Sequence, residues 1–392
     1  MKKVALLGFG TVGGGVEEVL RVNRDEIAKN IGEEVELKYI LDIRDFSGTP
    51  FEKQVVSDIS IIENDPEIVA AAECIGGATI AYDFVKRLLL AGKSVVTSNK
   101  ELVAVKGLEL QAIAREKGVC FLFEASVGGG IPIIRPLTND LAANRIDEVF
   151  GIVNGTTNYI LFQMLQCGKD FDTALREAQQ NGYAEADPTA DIEGIDACRK
   201  ICILSDLCFG KNVSPESVRT RGITCVTAQD TAFAEKLGYA IKLIARAKRV
   251  GEGVSAYVAP HLISSEKLLA NVSGVMNAVV VRGNAVGDCL FYGAGAGKLP
   301  TASAVAADLL DAVSGRAKSP EWTEAPEGYV IPSETLSSRW YVRAAKSSAL
   351  GEKFDCVFSE NECAAIIPEC TETELAGILA GIEAKSAFRI IE

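Results

Sequence analysis

The chain has 392 residues, 48% of them hydrophobic, which at roughly 100 to 200 residues per domain gives two or three domains, each with its own core. Forty basic against fifty-three acidic residues leave a net charge of −13, which excludes the basic footprint of a nucleic-acid or anionic-membrane binder and points to a small soluble partner. The eleven cysteines form no CxxC pair, and an odd number suits free thiols in a reducing compartment. The opening MKKVALLGFG breaks into glycines too early for a signal peptide, and no window approaches the roughly 20 apolar residues of a membrane span, so a cytoplasmic location is expected.

The first apolar run, Lys3 to Leu7, reads as a strand; it is followed at once by Gly8-Phe9-Gly10-Thr11-Val12-Gly13 and a helical pattern through Val16, Val19 and Leu20. Strand, glycine turn and helix in this order suit a dinucleotide. Gly8 permits the tight turn, Gly10 lets a pyrophosphate approach the backbone, and Gly13 lets helix and strand pack closely. A second strand, 35 to 43, ends at Asp42 and Arg44; the acid suits the ribose 2′-hydroxyl of NAD, the arginine the 2′-phosphate of NADP, and both cofactors stay open. Strands at 68–74 and 94–97 with a helix at 80–91 continue the alternation of a parallel, doubly wound sheet. Ligands in such sheets lie beyond the carboxyl ends of the strands, where Ser98, Asn99 and Lys100 fall. A last strand, 120 to 124, runs into a second glycine loop, Ala125 to Pro132, with Pro132 placed to open a helix. Beside Glu124 this loop suits a monovalent cation held by backbone carbonyls, a ligand held by amides, or a plain turn.

From about residue 139 the pattern becomes α+β. A strand at 146–153 enters Asn154-Gly155-Thr156-Thr157-Asn158-Tyr159, a turn rich in hydroxyls and amides that leads to a helix from about Ile160. Helices are expected at 171–181, 189–209 and 230–247, then strands at 254–263 and 275–282. His261, the only histidine, reads as structural. In GYAEADPTADIEGIDACRK, Pro188 marks a helix entry, and Asp196 and Lys200 stand four apart on one face with the core beginning one turn later. A lysine held by acids at such a margin can exchange a proton with a developing alkoxide, and Glu185 and Asp191 are left to bind a substrate ammonium.

GFGTVGGG, SNK, EASVGGGIPII, GIVNGTTNYIL, GYAEADPTADIEGIDACRK and YGAGAGKLPTASAV together resemble the homoserine dehydrogenase family over roughly residues 1 to 315. The resemblance implies a Rossmann-type domain at 1–138 completed by about 286–318, and an α+β substrate and dimerisation domain at 139–285. A linker at 319–334 and a shortened ACT-like α+β tail at 335–392 follow. It implies NAD(P)-dependent interconversion of homoserine and aspartate 4-semialdehyde, on the route to threonine and methionine, in a homodimer or homotetramer. Lys200 and Lys100 become the catalytic lysines and Asp196 the residue orienting Lys200. Glu185 and Asp191 meet the substrate amino group beside Gly155 and Thr156; Gly295 and Gly297 return to the cofactor; and Val127, Gly129 and Ile131, with Glu124 beside them, hold Na+ or K+. A noncatalytic dinucleotide sensor on the same fold is the rival reading, opposed by the proton-transfer set.

Overall fold

The structure, a computed structural model, describes residues 1–391 and divides into two compact units. One comprises Met1–Arg145, Asp206–Ser214 and Gly293–Ala325; the other comprises Ile146–Ser205, Pro215–Tyr292 and the stretch from Pro326 on.

The first unit alternates β1 (Lys2–Leu7), α1 (Thr11–Val22), α2 (Arg24–Ile31), β2 (Val35–Leu41), β3 (Val55–Val56), α3 (Ile59–Asn64), β4 (Ile68–Glu73), α4 (Thr79–Leu90), β5 (Ser94–Thr97), α5 (Lys100–Lys117) and β6 (Phe121–Leu122). The sheet is wholly parallel in the order β3-β2-β1-β4-β5-β6. Val4 to Leu7 are fully buried, as a central parallel strand covered on both faces requires. The order reverses between β1 and β4, so the carboxyl ends of those two strands flank the crevice in which such sheets bind ligands. The late helix near residue 300 closes this unit: Ala302, Val305 and Leu309 join Val4, Leu6, Val16 and Ala70 in one core. Gly15 makes that possible, since a Cβ there would lie 2.8 Å from the Lys298 carbonyl oxygen.

The second unit carries β7 (Ile146–Ile152), α6 (Gly155–Cys167), α7 (Phe171–Gln180), α8 (Thr189–Ile192), α9 (Ile195–Phe209), β8 (Arg219–Thr220), α10 (Ala228–Lys236), β9 (Tyr239–Val250), β10 (Gly253–Ser264), β11 (Met276–Gly283) and β12 (Gly287–Ala294). The helix near residue 300 is α11 (Lys298–Ser314), and the C-terminal stretch adds β13 (Ser338–Ala345), α12 (Leu350–Lys353), β14 (Cys356–Phe358), β15 (Glu362–Cys370), α13 (Glu372–Ile378) and β16 (Ala384–Ile391). One mixed sheet runs β12-β11-β7-β9-β10-β16-β13-β15-β14, with β8 paired to β10.

Two expected helices take other forms. The segment 230–247 is helical only to Lys236; Gly238 turns the chain at φ +80°, and the alternating IKLIARAKRV becomes β9, paired along its length with β10 across a two-residue turn. The segment 189–209 is two helices, parted by Gly194 at φ +81°. The tail helix stops at Ile378, and Gly381, also left-handed, releases the chain into β16. The last four strands of the second unit stand fourth-first-third-second, with α12 and α13 between them, a ferredoxin-like β-α-β-β-α-β arrangement. A helix of only four residues stands where a full first helix belongs in that arrangement.

Candidate active site

In the first unit, β1 ends in a turn that only glycines allow. Gly8 adopts φ +88°, with its N–H donating to Leu41 O at 2.8 Å. A Cβ on Gly13 would fall 2.1 Å from Gly8 O, whereas Gly10 faces open space. Gly10 caps α1 without a side chain, so the amides of Thr11 and Val12 open the helix and its positive end is available to an anion. The N–H of Phe9 donates to Asp42 Oδ2 at 2.8 Å, and its ring packs edge-on against Phe46 and Phe51. Arg44 forks onto the same carboxylate through Nε at 2.9 Å and Nη2 at 2.7 Å and holds it well below the usual carboxylate range. Asp42 and Arg44 therefore form one unit at the end of β2.

Asn99 caps α5: Oδ1 accepts from Leu102 N at 3.1 Å, while Nδ2 donates to Gly77 O at 2.6 Å. Ser98 is half-buried before it, and Lys100 is the first helical residue, also half-buried. Gly295 meets the second glycine loop, because a Cβ on Gly129 would stand 2.4 Å from its carbonyl oxygen. Gly297, at φ +124°, caps α11.

The second glycine loop is buried from Val127 to Gly129, and Ile131 is buried as well. Glu124 does not offer its side chain there. Its Oε1 accepts from Ile133 N at 2.6 Å and Ile134 N at 2.8 Å, and its Oε2 accepts from Arg135 N at 2.7 Å. Those three amides open the helical turn that starts at Ile134, two residues later than Pro132 suggests. Asp308 supports Glu124 in turn, accepting its N–H at 2.7 Å, and burial pushes the Asp308 carboxyl up to about 7. Among the described residues no group of three or more His, Cys, Asp or Glu could hold a metal.

The second unit holds the acid–lysine cluster. Lys200 Nζ donates to Asp196 Oδ2 at 2.7 Å and to Val153 O at 2.6 Å, on side chains only 10% and 7% exposed. A surface pair at this spacing contributes about 0.2 to 0.5 kcal/mol, but a buried one leaves a costly bare charge when either partner is removed. Asn154 joins the carboxylates: its Nδ2 donates to Asp191 Oδ1 at 2.7 Å and Asp196 Oδ2 at 3.0 Å, while its Oδ1 caps α6 by accepting from Thr157 N. That cap starts α6 at Gly155, five residues before the expected Ile160, and puts Gly155 and Thr156 in its first turn. Thr156 Oγ1 donates to Tyr183 O at 2.6 Å, and a Cβ on Gly155 would sit 2.6 Å from Val275 O. Glu185 is exposed on the segment that follows α7, with its main-chain oxygen taken by Gln179.

Asp191, Asp196 and Lys200 are therefore brought together, and Asn154 is the member that sequence reasoning left out. An asparagine immediately before an apolar helix is a capping signal, but nothing in sequence shows that its amide spans two carboxylates. His261 is fully buried, with Nδ1 toward Ala259 O at 2.9 Å and Nε2 toward Tyr257 Oη at 3.2 Å, in a structural place.

A doubly wound sheet with a glycine turn at its switch point, and a buried lysine–carboxylate pair elsewhere in the chain, define a dinucleotide-dependent oxidoreductase. The comparisons make this particular. Residues 8–124 match the model of the homoserine dehydrogenase NAD-binding domain, and residues 132–310 match that of homoserine dehydrogenase. The chain is 45% identical over 355 residues to homoserine dehydrogenase of Pseudomonas aeruginosa, covering 87% of this chain and 81% of that protein. The Bacillus subtilis homoserine dehydrogenase is 42% identical over 311 residues, 79% of this chain and 72% of that protein. Among solved structures, a homoserine dehydrogenase from Thiobacillus denitrificans superposes with TM-score 0.90 at 39% identity, covering 100% of this chain and 98% of that one. A hyperthermophilic archaeal homoserine dehydrogenase in complex with NADPH superposes with TM-score 0.69 at 29% identity over 82% of this chain and all of that one. The chain belongs to the homoserine dehydrogenase family, NAD(P)-dependent oxidoreductases.

Proposed function

We propose that the chain oxidises homoserine to aspartate 4-semialdehyde and catalyses the reverse reduction, with Lys200 as the group that moves the proton at the alcohol oxygen. The observation that carries this is the Lys200–Asp196 pair held by Val153 O and Asn154. Asp196 and the carbonyl fix the ammonium in place, so that its remaining N–H is available to an alkoxide developing one hydrogen bond away. Glu185 and Asp191 supply negative charge for the substrate ammonium, and the first turn of α6, Gly155 and Thr156, lies against the bound amino acid. Lys100 adds a second cation.

Gly8 and Gly13, where a Cβ would strike neighbouring main chain, shape the turn, and Gly10, where the space is open, lets a dinucleotide pyrophosphate approach the backbone. When bound, the nicotinamide supplies the hydride exchange. Phe9, Thr11, Val12, Ser98, Asn99, Gly295 and Gly297 complete that site in our reading. Asp42 suits the 2′-hydroxyl of NAD, and Arg44, with a side chain 55% exposed, would leave Asp42 to meet the 2′-phosphate of NADP. The main-chain groups of Val127, Gly129 and Ile131, with Glu124 beside them, suit Na+ or K+, which would stiffen the loop that meets Gly295.

Residues 1–138 with 286–318 form the nucleotide domain in this reading, 139–285 the substrate and dimerisation domain, 319–334 the linker and 335–392 an ACT-like tail. The assembly is a cytoplasmic homodimer or a homotetramer. The reading is tested by following reduced nicotinamide during homoserine oxidation while Asp191 or Glu185 is changed to alanine. KM for homoserine is expected to rise on the order of tenfold or more in each, the loss of one hydrogen bond to a charged group. An unchanged KM in both rejects the ammonium assignment.

A further inference from the structure

One buried acid at the nucleotide crevice is used by nothing described so far. Glu73 is the last residue of β4 and is 0% exposed. It lies beside Leu7, the last residue of β1, with Cys74 N donating to Leu7 O at 2.8 Å. This is the point where the strand order reverses and the dinucleotide crevice opens. Its carboxylate is spent on main chain and one hydroxyl: Oε1 accepts from Ile75 N at 2.7 Å and Gly76 N at 3.4 Å, and Oε2 accepts from Thr97 Oγ1 at 2.5 Å. Thr97 Oγ1 in turn accepts from Asn99 N at 2.9 Å. Asn99 Nδ2 reaches across to Gly77 O at 2.6 Å. The loop 75–77, with Gly76 and Gly77 in left-handed conformations, is thereby tied at both ends to the end of β5 and the start of the helix that carries Lys100. The same loop backs the first glycine turn, since a Cβ on Gly8 would lie 3.0 Å from Cys74 O and 3.1 Å from Ile75 Cα.

We propose that Glu73 is a positioning residue for the nucleotide. Through Thr97 and Asn99 it sets the loop 74–77 that forms one wall of the crevice beside Gly8. Resting on the cofactor reading above, this gives the acid a task that burial alone would oppose: a carboxylate in an apolar strand end is costly unless every oxygen is engaged, and here both are. The bland alternative is a carboxylate that only stabilises the fold. The two differ in what they move. A positioning role changes cofactor affinity and leaves homoserine KM in place; a purely structural role changes the unfolding midpoint and leaves affinity in place.

The experiment measures NADPH and NADH dissociation constants by nicotinamide fluorescence for wild type, Glu73→Gln, Thr97→Val and Thr97→Ser, with unfolding midpoints and homoserine KM alongside. Glu73→Gln and Thr97→Val are expected to bind the reduced cofactors on the order of tenfold more weakly, as when a hydrogen bond to a charged group is withdrawn. Thr97→Ser, which keeps the hydroxyl, is expected to bind as wild type does. Wild-type affinity in Glu73→Gln and Thr97→Val, whatever their midpoints, overturns the proposal, and should Glu73→Gln fail to fold the two Thr97 variants decide it. Wild type that binds neither cofactor rejects the nucleotide reading itself and this inference with it.

Discussion

At the scale of single residues, Asn154 divides its amide between two tasks. Its oxygen caps α6 and its nitrogen joins Asp191 to Asp196. Asn154→Ala is expected to lose about 1 kcal/mol of stability from the cap, and kcat/KM by about tenfold or more, because two carboxylates lose a shared donor. Urea unfolding and steady-state kinetics on one preparation check both; an unchanged kcat/KM contradicts the role given to the bridge. His261 makes a separate prediction. Burial lowers its imidazole to about 3, against an ordinary 6.5, so the unfolded chain takes up a proton first as pH falls. Its contribution to stability is whole above about pH 6.5 and drains away between there and about pH 3. His261→Gln should flatten the fall of the urea midpoint across that window, and the imidazole signal of the wild type should not titrate above pH 5. The Asp196–Lys200 pair was legible in sequence because four residues on a helix fix a shared face; the Asn154 bridge was not, because its partners come from α8 and α9, far along the chain.

At the scale of elements, glycines decide where helices stop. Gly194, Gly238 and Gly381 all take left-handed conformations, and each ends a helical pattern that the apolar spacing would otherwise carry on. The strand β9 looks helical in sequence because Ile244 interrupts an otherwise alternating stretch, on the face that also carries Lys242, Arg246 and Lys248. Ile241, Leu243 and Ala245 are buried on one side, and the buried Ile244 on the other gives the adjacent apolar pair that a helix would also show. The parallel strands of the first unit were legible for the opposite reason, being short apolar runs punctuated by glycine turns. Gly129 gives the prediction at this scale. With φ +57° and a Cβ position 2.4 Å from Gly295 O, Gly129→Ala should cost about 1 to 3 kcal/mol and weaken cofactor binding, measured by urea unfolding and nicotinamide fluorescence. A variant as stable as wild type would show that the two glycine loops do not press on each other.

For the molecule as a whole, the C-terminal stretch is part of a sheet rather than an appendage. β16 lies between β10 and β13, and Asp230 at the start of α10, fully buried, accepts from Arg343 Nε at 2.7 Å and from the hydroxyls of Tyr341 and Ser386. Arg343→Ala leaves that carboxylate buried with only neutral donors, the hydroxyls of Tyr341, Ser386 and Thr227 and the Thr227 N–H, and is expected to cost about 3 to 5 kcal/mol, read as a lowered urea midpoint. A chain ended before residue 335 exposes the β10 edge and is expected to aggregate. The resemblance implied a linker and a shortened ACT-like tail; the pairing of that tail with β10 runs across more than a hundred residues, beyond what sequence pattern shows. The central claim, that this fold oxidises homoserine with Lys200 moving the proton, is tested most directly by the initial rate of homoserine oxidation with NAD and with NADP, for wild type and Lys200→Ala. Turnover by wild type with at least one cofactor, and a fall of about 10² or more in the folded variant, is the predicted result. Wild type that binds nucleotide but oxidises no homoserine with either, or a variant that keeps its rate, would contradict it.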